Sequence, residues 1–290
     1  MKSETVKENS PLLSYLLKTN FPSNRTKAKQ LLKHGAVSVN GKVITQHDYK
    51  LKTGDEIAFR PKPKVAFKRA SLEPPFPIVY EDESLVVIDK PAGLLTIATE
   101  KIKSRTAYFQ LTDYVHSSGA TGKERIFIVH RLDRDASGLL VFAKNEETKF
   151  ALQENWEKAQ KKYTVVVEGT PNKKSDTIES YLVEDKFRRV YSTAESRFSK
   201  YAATQYRVIK SAGNYSLLEI TLLTGRKNQI RVHLSDIGHP IVGDEKYGSH
   251  TDPAGRLGLH ASYLAFHHPK TDEVKVFNSS LPDNLKKLVR

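Results

Sequence analysis

A short proline-rich stretch constrains the fold of this chain more than any other feature. Residues 61–77 contain five prolines mixed with basic residues and have no periodic apolar pattern. Because proline fixes φ and removes a backbone donor, such a stretch is excluded from helix interiors and central strands. We therefore expect a semi-extended linker over 61–77 between a small domain at 10–60 and a large one at 78–290. A chain of 290 residues is long enough for two such cores.

The small domain is predicted to mix short helices and strands. The pair Ser10-Pro11 is typical of a helix N-cap followed by a first-turn proline, and four leucines, Leu12, Leu13, Leu16 and Leu17, follow at helical spacing. A second helix is predicted from Arg25 to His34, ended by Gly35, with Ala28, Leu31 and Leu32 packed inward and its cations on the opposite face. A short strand with an Asn40-Gly41 turn over 37–42, and a further turn and strand over 54–59, complete the pattern.

Positive charge is concentrated in this part of the chain. The formal net charge is +14, and residues 1–70 contain 15 Lys and Arg against 5 Asp and Glu. That asymmetry indicates a dedicated surface for a polyanionic partner rather than uniform surface charge. The RNA-binding candidates are Arg25, Lys27, Lys29, Lys33 and Lys42. The alternative is that these cations only form a solvated helix face.

The large domain is predicted to be α+β, with a mixed, mostly antiparallel sheet flanked by helices. Its predicted strands are 85–89, 126–129, 139–143, 163–168, 204–210 and 216–223, and its predicted helices lie near 106–116, 146–158 and 227–236. Successive strands without a helix in every gap favour antiparallel pairing.

One polar loop in this domain combines a carboxylate with arginines. The sequence His130-Arg131-Leu132-Asp133-Arg134-Asp135-Ala136-Ser137-Gly138-Leu139 joins two apolar runs that are typical of buried strands. Polar groups held at the end of a rigid strand are well placed for catalysis, which makes Asp133 the first candidate. A connecting loop in which an aspartate bonds to backbone amides is the alternative.

This loop resembles the signature of the RluA-like pseudouridine synthases, which isomerise uridine in structured RNA. Three further segments resemble the family's motifs in the same order: 86–93 with Lys90, Lys161-Lys162-Tyr163, and 223–233 with Arg226 and Arg231. The similarity spans about residues 78–270. Ala136 and Asn228 depart from the usual threonine and histidine, and neither is a residue expected to do chemistry. The segments V-x-V-N-G-K and G-D-x-I resemble the small S4 RNA-binding domain.

The resemblance implies the following roles. Asp133 supplies the catalytic carboxylate, as a nucleophile or as a base. Arg231 keeps that carboxylate ionised through a short charge-assisted pair, and Tyr163 stacks on the uracil and assists proton removal. Arg131 takes the place of the base that leaves its stack, or it binds only phosphate. Lys90 and Arg226 are expected to bind substrate.

The sequence therefore predicts an RNA pseudouridine synthase with ribosomal RNA as the favoured substrate. A transfer-RNA target, a non-catalytic ribosome-assembly protein and a glycosidase that releases the base are the alternatives. There is no cysteine, no G-x-G-x-x-G, no P-loop and no H-E-x-x-H, so we expect no metal, nucleotide or other cofactor. The start is polar and no apolar run reaches a membrane span, which predicts a cytoplasmic protein. We also expect a monomer.

Overall fold

A computed structural model describes residues 2–19, 24–33, 35–59, 76–118 and 124–290 of the protein. The chain divides into two compact units, Met1–Arg69 and Ala70–Arg290, which we call the N-terminal unit and the C-terminal unit. The predicted linker lies outside the described residues apart from Phe76 and Pro77. The domain bounds drawn from the linker therefore stay predictions. In the described part of the chain, no helix is both long and apolar enough to cross a membrane.

The N-terminal unit combines two short helices with two small antiparallel sheets. Its elements are β1 (Lys2–Thr5), β2 (Ser10–Pro11), α1 (Leu12–Lys18), α2 (Arg25–Lys33), β3 (Val37–Val39), β4 (Lys42–Val43), β5 (Lys50–Leu51) and β6 (Glu56–Phe59). The larger sheet has the strand order β1-β6-β3-β4, and β2 pairs with β5. Buried residues of both helices, including Leu12, Leu16 and Leu32, form one core with Val37 and Ile57 of the sheet.

Two local predictions for this unit have different outcomes. The Asn40-Gly41 turn is present, with φ of 49° and 78°, the left-handed values that a two-residue hairpin turn requires. Helix α1 begins at Leu12, and Pro11 is its N-cap rather than its first-turn residue. The reason is that Pro11 has an extended backbone and pairs with Lys50.

The C-terminal unit is built on one large sheet. Its strands are β7 (Ile78–Glu81), β8 (Leu85–Lys90), β9 (Phe127–Ile128), β10 (Ser137–Ala143), β11 (Gln160–Glu168), β12 (Ser175–Glu184), β13 (Val190–Thr193), β14 (Lys200–Ala212), β15 (Tyr215–Leu222), β16 (Leu259–His267) and β17 (Val274–Asn278). Its helices are α3 (Ala107–Ser118), α4 (Glu146–Glu154), α5 (Gln229–Asp236) and α6 (Asp283–Lys286), with 3₁₀ turns at Glu245–Tyr247 and Lys287–Val289.

The sheet is mixed and mostly antiparallel, which confirms the predicted α+β class. Its main path is β13-β12-β14-β15-β11-β16-β10-β8-β7, with β17 paired to β16 and β9 to β10. Only the pairing of β10 with β16 is parallel among these described strands. At that junction Gly138 has φ of 111°, and a Cβ there would lie 2.2 Å from the Ala261 carbonyl oxygen. Glycine is therefore required where the two strands meet.

Helices cover both faces of the sheet where β8 pairs with β10. Val86, Ile88, Leu140 and Phe142 point to one face and form a core with Leu111 of α3. The alternate residues Leu85, Val87, Leu139 and Val141 point to the other face and form a core with Leu152 of α4. These strands are buried on both sides, which explains why they are continuous apolar runs in the sequence.

Some predicted helix boundaries differ from those in the structure. Helix α4 ends at Glu154 instead of Lys158. Helix α5 begins at Gln229 because Asn228 is its N-cap and has a left-handed backbone with φ of 54°. Five strands of this unit, β7, β12, β13, β16 and β17, were not predicted. Strand β12 has a single fully buried residue, Leu182, so it carries no apolar run that local pattern could detect.

Candidate active site

The loop that carries Asp133 is fixed by its neighbours. Leu132 is buried, its amide donates to Thr96 Oγ1 at 3.2 Å, and that hydroxyl donates to the Leu132 carbonyl at 2.8 Å. The ring of His130 lies against Trp156 with centroids 4.3 Å apart, and its Nε2 accepts from the Val141 amide at 3.1 Å. Desolvation, with a smaller contribution from the charge of Lys161, lowers the pKa of His130 to about 3. His130 is therefore a neutral acceptor that anchors the loop to β10.

Lys90 lies beneath this loop and not in a substrate pocket. Its side chain is fully buried, and Nζ donates to the carbonyls of Pro91 at 2.9 Å, Leu94 at 2.8 Å and Arg134 at 3.1 Å. Burial lowers the pKa of Lys90 to about 8, although the charges of Asp135 and Asp133 oppose this shift. An ammonium has three donors, and here all three are used by the backbone. The prediction that Lys90 binds substrate is thus replaced by a role in holding the residue that follows Asp133.

Arg231, on the first turn of α5, lies between two carboxylates. Its Nε and Nη2 each donate to Asp244 at 2.7 Å, whereas Nη1 is 3.4 Å from Asp133 Oδ2. The predicted ion pair between Arg231 and Asp133 is therefore present but is not the short one, because the short, bidentate pair is formed with Asp244. Burial disfavours the charged form, but the hydrogen bonds and charge of Asp244, and then Asp133, raise the pKa of Arg231 above its ordinary value.

Asp244 was missed in the sequence, where it is one aspartate in a polar loop. Its side chain is only 1% exposed, and it lies just before the 3₁₀ turn Glu245–Tyr247. The preceding Gly243 has φ of 75°, and a Cβ there would lie 2.4 Å from the Arg256 carbonyl oxygen. That glycine was the one local signal of a tightly packed loop. Tyr247 completes the arrangement, because its ring centroid lies 4.9 Å from the Arg231 guanidinium.

Asn228 connects the same elements. Its Nδ2 donates to the Tyr247 hydroxyl at 2.9 Å, and its Oδ1 accepts from Arg231 at 3.5 Å. Asparagine tolerates the left-handed backbone that this position has better than most residues do. The departure from the usual histidine is therefore compatible with the packing around Arg231.

A cavity of about 250 Å³ brings most of the predicted site residues together. Those that line it are Arg131, Asp133, Tyr163, Arg226 and Arg231. Its volume lies just below the roughly 300–1,000 Å³ of pockets for drug-sized ligands, so it suits a single nucleobase better than a large ligand. The Asp133 side chain is 24% exposed, which leaves its carboxylate accessible. In the described part of the chain, no group of three metal-ligating side chains is arranged to hold an ion.

Tyr163 forms one wall of this cavity. It lies on β11 and packs against two hydrophobic clusters, one around α3 and one around α5. Burial, and to a smaller extent the charge of Asp133, raises the pKa of Tyr163 above its ordinary value. The phenol therefore stays protonated at neutral pH. Its hydroxyl has no hydrogen-bond partner among the residues that the structure describes.

The five RNA-binding candidates lie on the surface of the N-terminal unit. Arg25, Lys27, Lys29 and Lys33 are exposed on α2, while Ala28 and Leu32 on the same helix are buried. Lys42 is exposed on β4. The amphipathic division predicted for this helix is confirmed. Whether these cations touch RNA stays a prediction.

Comparisons with known proteins show which families this chain resembles. The family model described as RNA pseudouridylate synthase matches residues 84–236, a range that contains Asp133, Tyr163 and Arg231, and the model of the S4 domain matches residues 11–57. The uncharacterized RNA pseudouridine synthase YlyB of Bacillus subtilis (strain 168) is 35% identical over 281 residues, with 95% of this chain and 91% of that protein covered.

Two further similarities extend the comparison. The ribosomal large subunit pseudouridine synthase D of Vibrio cholerae is 31% identical over 278 residues, covering 90% of this chain and 85% of that protein. The solved structure of human RNA pseudouridylate synthase domain containing 4 superposes with a TM-score of 0.62 at 25% identity and covers 73% of this chain and 92% of that one.

Proposed function

The chain belongs to the RNA pseudouridylate synthase family, as an RluA-like member with an N-terminal S4 domain, and from that premise we propose that it isomerises specific uridines of ribosomal RNA. Three observations support ribosomal RNA as the substrate. A relative at 31% identity is a ribosomal large subunit pseudouridine synthase. An S4 RNA-binding domain precedes the synthase domain. Finally, most of the chain's excess positive charge lies in its first 70 residues.

The observation that carries the proposal is the accessible Asp133 carboxylate in a nucleobase-sized pocket beside Arg231. The reaction breaks the bond from the sugar to the ring nitrogen of uracil and forms a bond from the sugar to ring carbon five. The proton on that carbon leaves and the nitrogen gains one, so atoms balance without a cofactor. Asp133 would attack the anomeric carbon or remove the proton from the neighbouring sugar carbon.

Arg231 would act on Asp133 from a fixed position. Its two 2.7 Å bonds to Asp244 hold the guanidinium in place, and the remaining Nη1 faces Asp133. A preorganised cation of this kind complements the negative charge of the carboxylate and needs no rearrangement during the reaction. Because the contact with Asp133 is the longer one, the carboxylate would be free to move toward the sugar.

Tyr163 and Arg131 would handle the base. The ring of Tyr163 forms a wall on which uracil can stack, and its protonated hydroxyl can donate or relay a proton but is a poor base by itself. Arg131 is exposed at the cavity. We propose that it fills the place of the flipped base, which lowers the cost of a few kcal/mol for unstacking.

The test is to incubate the full-length protein with transcribed ribosomal and transfer RNA and to map pseudouridine by carbodiimide modification and primer extension. Pseudouridine at a few positions in ribosomal RNA is the expected result, and the same positions should lack it in cells without the protein. Product in transfer RNA alone would overturn the ribosomal target. Free uracil with abasic sites would identify a glycosidase, and RNA binding without any product would identify a non-catalytic assembly protein. A cytoplasmic location, a monomeric state and independence from cofactors stay predictions.

A further inference from the structure

Exposed aromatic side chains are concentrated in one segment of the C-terminal unit. Of the five aromatic residues that are strongly exposed among the described residues, four lie between 187 and 201: Phe187, Tyr191, Phe198 and Tyr201. The fifth is Phe150, on helix α4. Single exposed apolar side chains are ordinary, but a cluster of large ones marks an interaction surface. Neither the family motifs nor the roles proposed above involve this segment.

The same segment is strongly basic. Arg188, Arg189, Arg197 and Lys200 are exposed in it against one glutamate, Glu195, and Asp185 and Lys186 directly precede it. Two of the cations lie over neighbouring rings, Lys186 at 5.0 Å from the Phe187 centroid and Arg197 at 4.5 Å from the Phe198 centroid. Aromatic rings interleaved with cations are the combination that binds single-stranded nucleic acid, since the bases stack and the phosphates are neutralised.

Phe198 is held in place by its own turn. Ser196 Oγ accepts from the Phe198 amide at 3.3 Å, and the Ser196 amide donates to Ser199 Oγ at 2.8 Å. Ser199 Oγ also contacts the carbonyl of Ala194 at 3.3 Å. The ring is 69% exposed although the turn beneath it is internally hydrogen-bonded. A ring presented in this way loses little conformational freedom when a base stacks on it.

A groove joins Phe198 to the active-site cavity. It has a volume of about 660 Å³, and Phe198 and Lys200 line it. Gly225, Arg226 and Lys227 line both this groove and the cavity that contains Asp133. Lys227 is paired with Glu184 at 2.5 Å, so that carboxylate is neutralised. Lys200 and Arg226 are therefore the cations that the groove offers to a phosphate.

We propose that this groove binds a nucleotide flanking the target uridine in the same RNA strand, with its base stacked on Phe198 and its phosphate near Lys200 and Arg226. The inference rests on the proposed function, because it places the flanking nucleotide beside the cavity that takes the uracil. RNA fits better than a protein partner, since the two most exposed rings of the segment, Phe187 and Phe198, each have a cation over them, and few aliphatic side chains are presented.

The test compares Phe198→Ala and Phe198→Tyr with the wild-type protein and with Phe150→Ala. Phe150 is a matched control, because it is 53% exposed and has the Lys149 ammonium 4.4 Å from its ring centroid, yet it lines neither cavity. The probe is a fluorescein-labelled oligouridylate of about eight nucleotides, and its affinity is measured by anisotropy over a series of salt concentrations. Thermal unfolding verifies that each variant is folded.

Phe198→Ala is expected to weaken binding by about 5- to 150-fold, the range for one stacked base, while Phe198→Tyr and Phe150→Ala stay close to wild type. Because stacking involves no counterion, the slope of log affinity against log salt should be unchanged in Phe198→Ala. In Lys200→Ala it should become shallower by about 0.7, the value for one phosphate contact on a single strand. Equal losses in the Phe198 and Phe150 variants, or no loss in either, would overturn the subsite.

Two further measurements separate this inference from the proposed function. RNA that contains 5-iodouridine should cross-link under light to the peptide carrying Phe198, and the absence of that cross-link in an RNA-bound wild-type protein would count against the groove. On ribosomal RNA, Phe198→Ala should lower kcat/KM and leave kcat at saturation unchanged. If the wild-type protein makes no pseudouridine but still cross-links at Phe198, the proposed function fails while the RNA-binding groove stands.

Discussion

Arg25, Lys27, Lys29 and Lys33 are exposed to solvent on helix α2 of the N-terminal unit, whereas Arg231 in the C-terminal unit is 13% exposed and lies between two carboxylates. The two sets of cations have the same charge and different surroundings. The exposed set is screened by salt and can adapt to any polyanion. The enclosed guanidinium is held in one orientation by the bidentate pair with Asp244. Exposed cations are therefore suited to increasing the affinity for a polyanion. An enclosed cation is suited to holding a catalytic group in position.

The carboxylates of the C-terminal unit also differ in exposure. Exposed ion pairs such as Lys173–Asp176, with side chains 68% and 39% exposed, contribute little to stability because water and salt screen them. Removing one partner of a buried pair typically costs about 3–5 kcal/mol, because it leaves a charge without compensation. Asp244, 1% exposed, belongs to the second class, and Asp133, 24% exposed, is partly open to the cavity. Only the more open carboxylate has room to meet a substrate.

The largest effect is expected for Asp133→Asn. The variant should bind ribosomal RNA within a few-fold of wild type and show no detectable turnover, a loss of about 10²–10⁴-fold or more, because both possible mechanisms need an ionised carboxylate. Pseudouridine formation and anisotropy measure the two properties separately. Asp135→Asn is the control, since that carboxylate lies in the same loop and is paired with Arg134 at 2.9 Å in an exposed position. Comparable turnover in Asp133→Asn would remove Asp133 from the mechanism.

Tyr163→Phe tests whether the reaction needs the hydroxyl of Tyr163 in addition to its aromatic ring. If the hydroxyl assists proton removal, the sugar–base bond should break while the reaction stalls before completion. RNA labelled with tritium at ring carbon five should then release little tritium in a single turnover. Tyr201→Phe is the control, because the Tyr201 hydroxyl is exposed and bonded to Glu179. Normal tritium release from Tyr163→Phe would limit Tyr163 to a stacking surface.

Asp244→Asn tests the positioning role of the enclosed pair. Losing that charge should let Arg231 shift toward Asp133, and a displacement of about 1 Å in an active site can cost roughly 100-fold in rate. We expect kcat to fall by about that factor with RNA affinity little changed, as measured in saturating single turnovers. Asp176→Asn makes the same change in the exposed pair with Lys173 and should be silent. If both variants behave alike in a folded protein, burial of the pair has no catalytic importance.

The smallest effect on chemistry is expected from the exposed cations. Replacing Arg25, Lys27, Lys29, Lys33 and Lys42 with glutamine should leave the rate at saturating RNA unchanged and weaken affinity. Each lost phosphate contact makes the plot of log affinity against log salt shallower by about 0.7–0.9, so several contacts predict a change of about two to four. Lys18→Gln is the control, because that ammonium is already bonded to Glu8. An unchanged slope would show that this face of α2 is only solvated.

The helices and strands that could be predicted from the sequence are those with a clear pattern of apolar residues. Strands β8, β10 and β11 were predictable because they are buried apolar runs, and helix α2 because its apolar residues recur at helical spacing. Strand β12 was not, since its side chains alternate between exposed and half-buried without an apolar run. The start of α5 was misplaced because nothing local showed that Asn228 would have a left-handed backbone.

The predicted site residues also fall into two groups, those that line the cavity and those that do not. Asp133, Tyr163, Arg131, Arg226 and Arg231 were predicted from motifs and line one cavity. Lys90 comes from an equally clear motif and yet is buried beneath the loop, where its donors bond to three carbonyls. A motif identifies a residue that matters, but it does not distinguish a residue that meets the substrate from one that supports its neighbour.

The sequence by itself determined the α+β class, the order of the motifs and the excess of positive charge near the amino terminus, because each of these depends on composition or on neighbouring residues. Only the tertiary structure decided that Asp244 rather than Asp133 forms the short pair with Arg231, and that Phe198 stands beside the cavity. These arrangements join elements far apart in the chain. Exposure and pairing of a loop residue depend on what packs against it, which local sequence does not encode.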